Sequence, residues 1–304
     1  MNMKKVVSVS LGSSRRNHQV EIQFGGQEYS ISRIGTDGDF QKALSLIREL
    51  DGKVDAIGLG GIDLYLRVGN RKYILRDALR LANAAQKTPV VDGSGVKYTL
   101  ERKIVQNLSS LLSLSPAETP VLLVSGVDRY GMAEGFSTAG YPLVMGDFLF
   151  ALGLPIPISS LTALKILASL LLPFLTRLPF SILYPIGEKQ EESKPKFTRY
   201  FEKARLIAGD FHYIKRYAPA DLSGKIILTN TTTAEDVEDL RKRGVKTLIT
   251  TTPVFEGRSF GTNVLEALLV AHAGYQGRGG LPDAQYAEYV EKFSFQPVIR
   301  ELQG

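Results

Sequence analysis

Five short apolar segments in the second half of the chain constrain its fold most: "PVLLVS" from Pro120, "YPLVMG" from Tyr141, "ARLIAGD" from Ala204, "KIILTN" from Lys225 and "KTLITTTP" from Lys246. Each ends on a glycine or hydroxyl-rich turn, and a helix-like stretch follows. Strands without polar alternation are covered on both faces, and strands joined one after another through helices lie parallel. Residues 120–280 are therefore expected to form a Rossmann-like parallel-sheet domain.

The first 115 residues read differently. "KKVVSVSLG" is a buried strand, and "VEIQFGGQEYSI" places two alternating runs around Gly25 and Gly26, a hairpin signal. "GDFQKALSLIRELDG" repeats Phe40, Ala43, Leu44, Ile47 and Leu50 at helical spacing. A second hairpin turns on Gly69 and Asn70, and a later helix aligns Leu100, Ile104, Leu108 and Leu111. Together these predict a mixed α/β N-terminal domain, the substrate domain, ending at the proline-interrupted "SLSPAETP" from Ser113. Residues 281–304 are expected to form a helix and tail that pack back on this first domain. The fold class is thus α/β with two domains.

Residues 148–186 carry only two charges, Lys165 and Arg177. A membrane span needs roughly 20 consecutive apolar residues, and Pro155, Pro157, Pro173 and Pro179 cut this stretch into shorter pieces. A buried crossover helix or a homodimer interface at "LTALKILASLLL" is expected, with peripheral membrane contact as the alternative and integral insertion disfavoured. "GEKQEESKPK" after it reads as a solvated, mobile loop. The start of the chain lacks the apolar core and cleavage site of a signal peptide, so a cytoplasmic protein is expected.

Composition limits the chemistry. With no cysteine, thiolate nucleophiles and disulfides are excluded, and three scattered histidines, His18, His212 and His272, do not suggest a zinc site. No metal is expected, and any cofactor is organic. The net charge of +6 comes from dispersed lysines and arginines. That pattern suits a small anionic metabolite and gives no sign of nucleic acid. "SSRR", Ser13 to Arg16, is the sharpest basic spot, read either as a solvated loop or as an anion site.

In "VSGVDRYGMAEGF", Gly126, Gly131 and Gly135 follow an apolar strand and open a helix, where a dinucleotide fold uses glycine to let the pyrophosphate approach. Their spacing departs from G-x-G-x-x-G, so a plain strand-to-helix turn is the competing reading. Asp147 lies near the offset of roughly 20 residues at which an acid meets a ribose hydroxyl, which favours NAD over NADP. Asp210, His212, Asn230, Thr231 and Arg258 fall at other strand ends, with Asn230 and Thr231 placed near the cofactor. His212 is a candidate acid or base oriented by Asp210, against a structural role. "TTAE" from Thr232 is a capping box. In the first domain Asp63, Asp92, Ser94 and Lys97 are candidates, with Lys97 beside Asp92 able to handle an alcohol proton.

The blocks "VSVSLGSSRR", "GLGGIDLYL", "VDGSGVKYTLER", "GDFHYIKRYAP" and "TTTPVFEGRSFGTNVLEA" resemble bacterial sequences labelled quinate or shikimate 5-dehydrogenase. The resemblance spans most of the chain. It implies a substrate domain, a nicotinamide-binding Rossmann domain and oxidation of a cyclic polyol carboxylate at one hydroxyl. That family's N-x-T-x-P-x-K and N-T-D segments have no counterpart here, so it lends a fold and cofactor class and no catalytic residue. The expectation is an NAD(P)-dependent dehydrogenase with Lys97, Asp92 and His212 as catalytic candidates. The alternative is a non-catalytic Rossmann-like protein that senses an anionic metabolite, for which the missing segments and the irregular glycine loop speak.

Overall fold

Val6, Val7 and Val9 are buried on both faces of the first strand, the pattern of a strand that others flank on each side. The computed structural model describes residues 3–179, 193–255, 258–277 and 279–303. In chain order the elements begin with β1 (Lys4–Ser10), β2 (His18–Phe24), β3 (Gln27–Gly35), α1 (Phe40–Leu50), β4 (Ala56–Gly60), β5 (Tyr65–Val68), β6 (Arg71–Ile74), α2 (Arg76–Ala82), β7 (Val90–Val91) and α3 (Ser94–Leu112). They continue with β8 (Val121–Leu123), α4 (Tyr130–Thr138), β9 (Leu143–Met145), α5 (Leu161–Leu175), α6 (Thr198–Lys203), β10 (Leu206–Ala208), α7 (Phe211–Tyr217), β11 (Ile226–Thr229), α8 (Ala234–Lys242) and β12 (Thr247–Thr250). The last are β13 (Val254–Phe255), β14 (Arg258–Ser259), α9 (Thr262–Ala273), α10 (Asp283–Lys292) and β15 (Val298–Glu301).

Two units divide the chain, one drawn from residues 1–97, 171–189 and 254–294, the other from 98–170, 190–253 and 295–304. The first holds a sheet of order β2-β3-β1-β4-β7, parallel except for the β2–β3 hairpin. Gly25 and Gly26 supply the positive φ values the hairpin turn requires. Among its parallel strands the order is 2-1-3-4, so the direction of winding reverses between β1 and β4. α1 is amphipathic, is capped by the Asp39 side chain and buries Ala43, Leu44 and Ile47.

α9 covers the other side. It is buried almost all round, from Val264 to Ala271, and packs across β1, β4 and β7. The approach is close because a Cβ at Gly58 would lie 2.6 Å from the Asn263 carbonyl oxygen. Asn263 also donates to the Ser8 hydroxyl at 2.7 Å.

The second unit holds a sheet of order β15-β12-β11-β10-β8-β9. Its five parallel strands run 2-1-3-4-5, a doubly wound arrangement whose winding reverses between β8 and β10. Leu122, Val124, Ile207, Ile227 and Leu248 meet Phe150, Phe201 and Leu240 in its core. The capping box at α8 uses Thr233 and Asp236, one residue beyond the expected Thr232.

The domain limits differ from the expectation in two places. The change of unit falls inside α3, between Lys97 and Tyr98, because a continuous helix carries the chain there without the Pro-rich break expected at 113–120. α9 and α10 belong to the first unit, and the tail ends as β15, antiparallel to β12 in the second unit's sheet. In α5, Leu164, Ala168 and Leu172 are buried, whereas Ile166, Leu170 and Phe174 are exposed. No described helix is long and apolar enough to cross a membrane. Residues 180–186 of the apolar stretch and 187–192 of the loop after it lie outside the described residues.

One buried acid ties the first unit together. Glu266 of α9 accepts the Tyr286 hydroxyl of α10, which in turn accepts the Leu281 amide at 2.9 Å. Burial, reinforced by nearby Asp92, pushes the Glu266 carboxyl up to about 8 from its usual 4.5. Below about pH 4.5 the group is protonated in the folded and unfolded chains alike. As pH rises towards about 8 the unfolded chain ionises first, so stability falls across that window. Glu266→Gln keeps an acceptor for Tyr286 and removes the ionisation. Its melting temperature is expected to decline less than the native protein's between about pH 5 and about pH 8. Parallel curves would reject this assignment.

Candidate functional site

In the second unit three strand-end turns converge where the winding reverses: residues 124–129 after β8, Asp147 after β9, and Gly209–Asp210 after β10. The Asp147 carboxylate accepts the amides of Gly126 and Val127 at 3.0 and 2.9 Å. Burial pushes its pKa up, and these amide bonds pull against the shift. The chain's own carboxylate therefore occupies the donors on which a cofactor phosphate was expected.

Gly131 and Gly135 do other work. Both lie within α4, where a Cβ at Gly131 would come within 2.5 Å of the Tyr98 carbonyl oxygen, and one at Gly135 within 2.9 Å of the Val105 side chain. They let α4 pack closely on α3. The residues expected to hold a dinucleotide do not fit one here, because an incoming phosphate would meet the Asp147 carboxylate on the Gly126 and Val127 amides.

Arg129 dominates the same region although the sequence reading passed over it. Only 5% exposed, it donates to Glu101, to Asp210 at 2.7 Å and to Asp128 at 3.0 Å. Its spacing gives no signal, since Glu101 and Asp210 lie 28 and 81 residues away. Asp210 also accepts the Asn230 side-chain amide at 3.0 Å and caps α7 through the His212 backbone amide at 2.9 Å. Asp210 thus holds the backbone of His212, whose side chain is exposed. Asn230 in turn accepts the Phe211 amide, which ties β11 to α7, and Thr231 follows it half-buried. The Arg258 side chain lies outside the described residues.

The first unit brings Asp63, Asp92, Ser94 and Lys97 together beyond β4 and β7. Lys97 pairs with Asp63 at 3.2 Å, with side chains 11% and 19% exposed. The expected partner, Asp92, is buried behind them, where it accepts the Leu64 amide at 2.6 Å and the Ser94 hydroxyl and amide. Burial first, then the charge of Asp63, raises its pKa, while Ser94, Leu64 and Lys97 act in the opposite sense. Asp92 braces the start of α3, and Asp63 holds the lysine.

Fold and site define a protein of two doubly wound α/β units with polar strand-end loops. The chain belongs to the family described as Domain of unknown function (DUF8754), whose model matches residues 95–302, and residues 5–92 match a second, Domain of unknown function (DUF8753). None of the curated proteins matches it in sequence. Among solved structures, it is similar to the NAD-dependent malic enzyme of Thermotoga maritima, at 14% identity over 90% of this chain and 73% of that one, with a TM-score of 0.39. It is also similar to AraP, an arabinose binding protein from Geobacillus stearothermophilus, at 9% identity over 99% and 97%, with a TM-score of 0.45.

The geometry turns the glycines into a stability test. Gly131→Ala is expected to destabilise the protein by about 1–3 kcal/mol through overpacking against Tyr98. Asp147→Ala is expected to cost about 1–3 kcal/mol by stranding two partly buried amides. Urea unfolding measures both. Unchanged midpoints would return the loop to the status of a free cradle.

Proposed function

We propose that this chain is a non-catalytic binding protein that senses a small anionic metabolite at the carboxyl edge of the first unit's sheet. The observation that carries the reading is the Asp147 carboxylate on the Gly126 and Val127 amides, the two loop donors on which a pyrophosphate was expected. The first unit supplies the polar edge. Lys97 is oriented by Asp63 near the start of α3, where a ligand oxygen would meet its ammonium group. A sensor needs affinity and no proton-transfer partner, which suits a lysine already paired with a carboxylate.

The Lys97–Asp63 pair itself favours a second reading, an NAD(P)-dependent alcohol oxidoreductase acting on a quinate- or shikimate-like acid. A lysine beside a carboxylate is a proton donor to a reacting oxygen. In that reading the cofactor makes no use of the Gly126 and Val127 amides.

Thermal shift with quinate, shikimate and related acids, run beside fluorescence titration with NADH and NADPH, separates the two. Sensing predicts ligand stabilisation, about 2.7 kcal/mol at a hundredfold excess over Kd, with no turnover and no saturable nucleotide binding. Lys97→Met is expected to abolish the ligand-dependent increment. Measurable reduction of a nicotinamide would reject the sensor.

A further inference from the structure

The loop between β1 and β2 lies at the point where the first sheet reverses its winding, the position at which open α/β sheets receive ligands. β1 ends at Ser10, which is in register with Gly35 of β3 on one side and Gly60 of β4 on the other. Small residues on both flanks let the following loop fold down on the strand ends. A Cβ at Gly35 would stand 2.5 Å from the Ser13 carbonyl oxygen, and one at Gly12 would stand 3.1 Å from the Arg33 guanidinium.

Arg33 is fixed there by neutral acceptors. It donates to the Ser13 carbonyl at 3.0 Å and to the Ser10 hydroxyl at 2.9 Å, and the same hydroxyl accepts the Gly12 amide at 3.1 Å. Among the described residues no carboxylate stands within ion-pair distance of Arg33, Arg15 or Arg16. Burial, followed by the Arg16 charge, lowers the Arg33 pKa, and Asp37 acts the other way. Asp37 is exposed and accepts the Ser14 amide at 2.7 Å, and its charge also faces Arg15 and Lys42. Arg33 thus has Asp37 as its acidic neighbour and Arg16 as a repelling one, while Arg15 faces the same Asp37.

We propose that residues 12–16 together with Arg33 form a binding site for the phosphoryl group of a small phosphate monoester. The inference deepens the reading of the first unit as the ligand-binding half, and rests on it. A dianion with three terminal oxygens can satisfy the free edges of more than one guanidinium, which a single carboxylate does less completely. It also relieves the repulsion between Arg16 and Arg33. Gly61, after β4, lies against the Gly12 amide, and the Lys97–Asp63 pair follows from the same turn. The phosphoryl group would then anchor one end of the ligand.

Isothermal titration calorimetry tests this with inorganic phosphate, phenyl phosphate and quinate as probes, at fixed ionic strength. Saturable binding of phenyl phosphate is expected, weakened at least about tenfold by Arg33→Met and severalfold by the exposed-site variant Arg16→Met. Arg33→Lys is expected to recover only part of the affinity, because it restores the charge without the fork. Phosphate binding as tightly as its ester still supports a phosphoryl site and identifies free phosphate as the source. Absence of binding by both phosphates, or equal affinity in Arg16→Met and Arg33→Met, overturns the proposal. Quinate binding that depends on Arg33 while both phosphates fail overturns it as well, but leaves the sensor reading standing. Nicotinamide turnover with phenyl phosphate binding intact rejects the sensor and upholds the phosphoryl site.

Discussion

The second unit is organised around a buried positive charge. Burial works against the Arg129 guanidinium, and Glu101, Asp128 and Asp210 outweigh it, so the group is held charged. Each partner comes from a different part of the unit: α3, the loop after β8, and the turn after β10. Removing the guanidinium would leave Glu101 an uncompensated buried charge, at a cost of about 3–5 kcal/mol, so α3 and the two strand-end turns keep one relative position. That fixed position also aligns Asp210 as the cap of α7 and as an acceptor for Asn230. The polar strand ends in this unit are a frame.

Asp147 extends the same logic to the glycine loop. An acid about twenty residues beyond the first glycine is a signature of ribose recognition because one strand–helix–strand passage brings it to the neighbouring strand end. The passage from β8 through α4 to β9 does this here, but the side chain folds back on the loop amides. A short unit brings the acid to the edge whatever the acid then does. Spacing alone reports the arrival and leaves the orientation undetermined.

The parallel strands of both sheets were legible because apolar runs of that length have few other uses, and the β2–β3 hairpin was legible from Gly25 and Gly26, whereas β15 was expected only as a tail. The placement of α9 was not. A helix apolar on every side announces that it will be buried, but carries no mark of the sheet that will bury it, and the decisive contacts with Gly58 and Gly93 come from residues far back in the chain. Lys97 and Asp92 were both singled out, but the direct ion pair of the lysine was not legible, for a similar reason. Asp92 is near Lys97 in sequence and turns instead to Leu64 and Ser94, while Asp63, 34 residues away, takes the lysine. Arg129 has two of its three partners at long range and left no local trace.

The two units use their carboxylates in the same way. Asp147 accepts the amides at the turn before α4, and Asp92 accepts the amide and hydroxyl of Ser94 at the start of α3. In both places a side chain fills a position where backbone donors otherwise attract an anion. The loop after β1 is built the other way round: its nearest acid, Asp37, is exposed and takes the Ser14 amide, and Arg33 leans on neutral oxygens. A set of loop amides taken by its own carboxylate is satisfied as folded, whereas an arginine held by neutral oxygens beside a second arginine keeps an electrostatic demand that an outside anion can meet. That contrast is what favours the first unit over the second unit's switch point in the proposed reading of the ligand site.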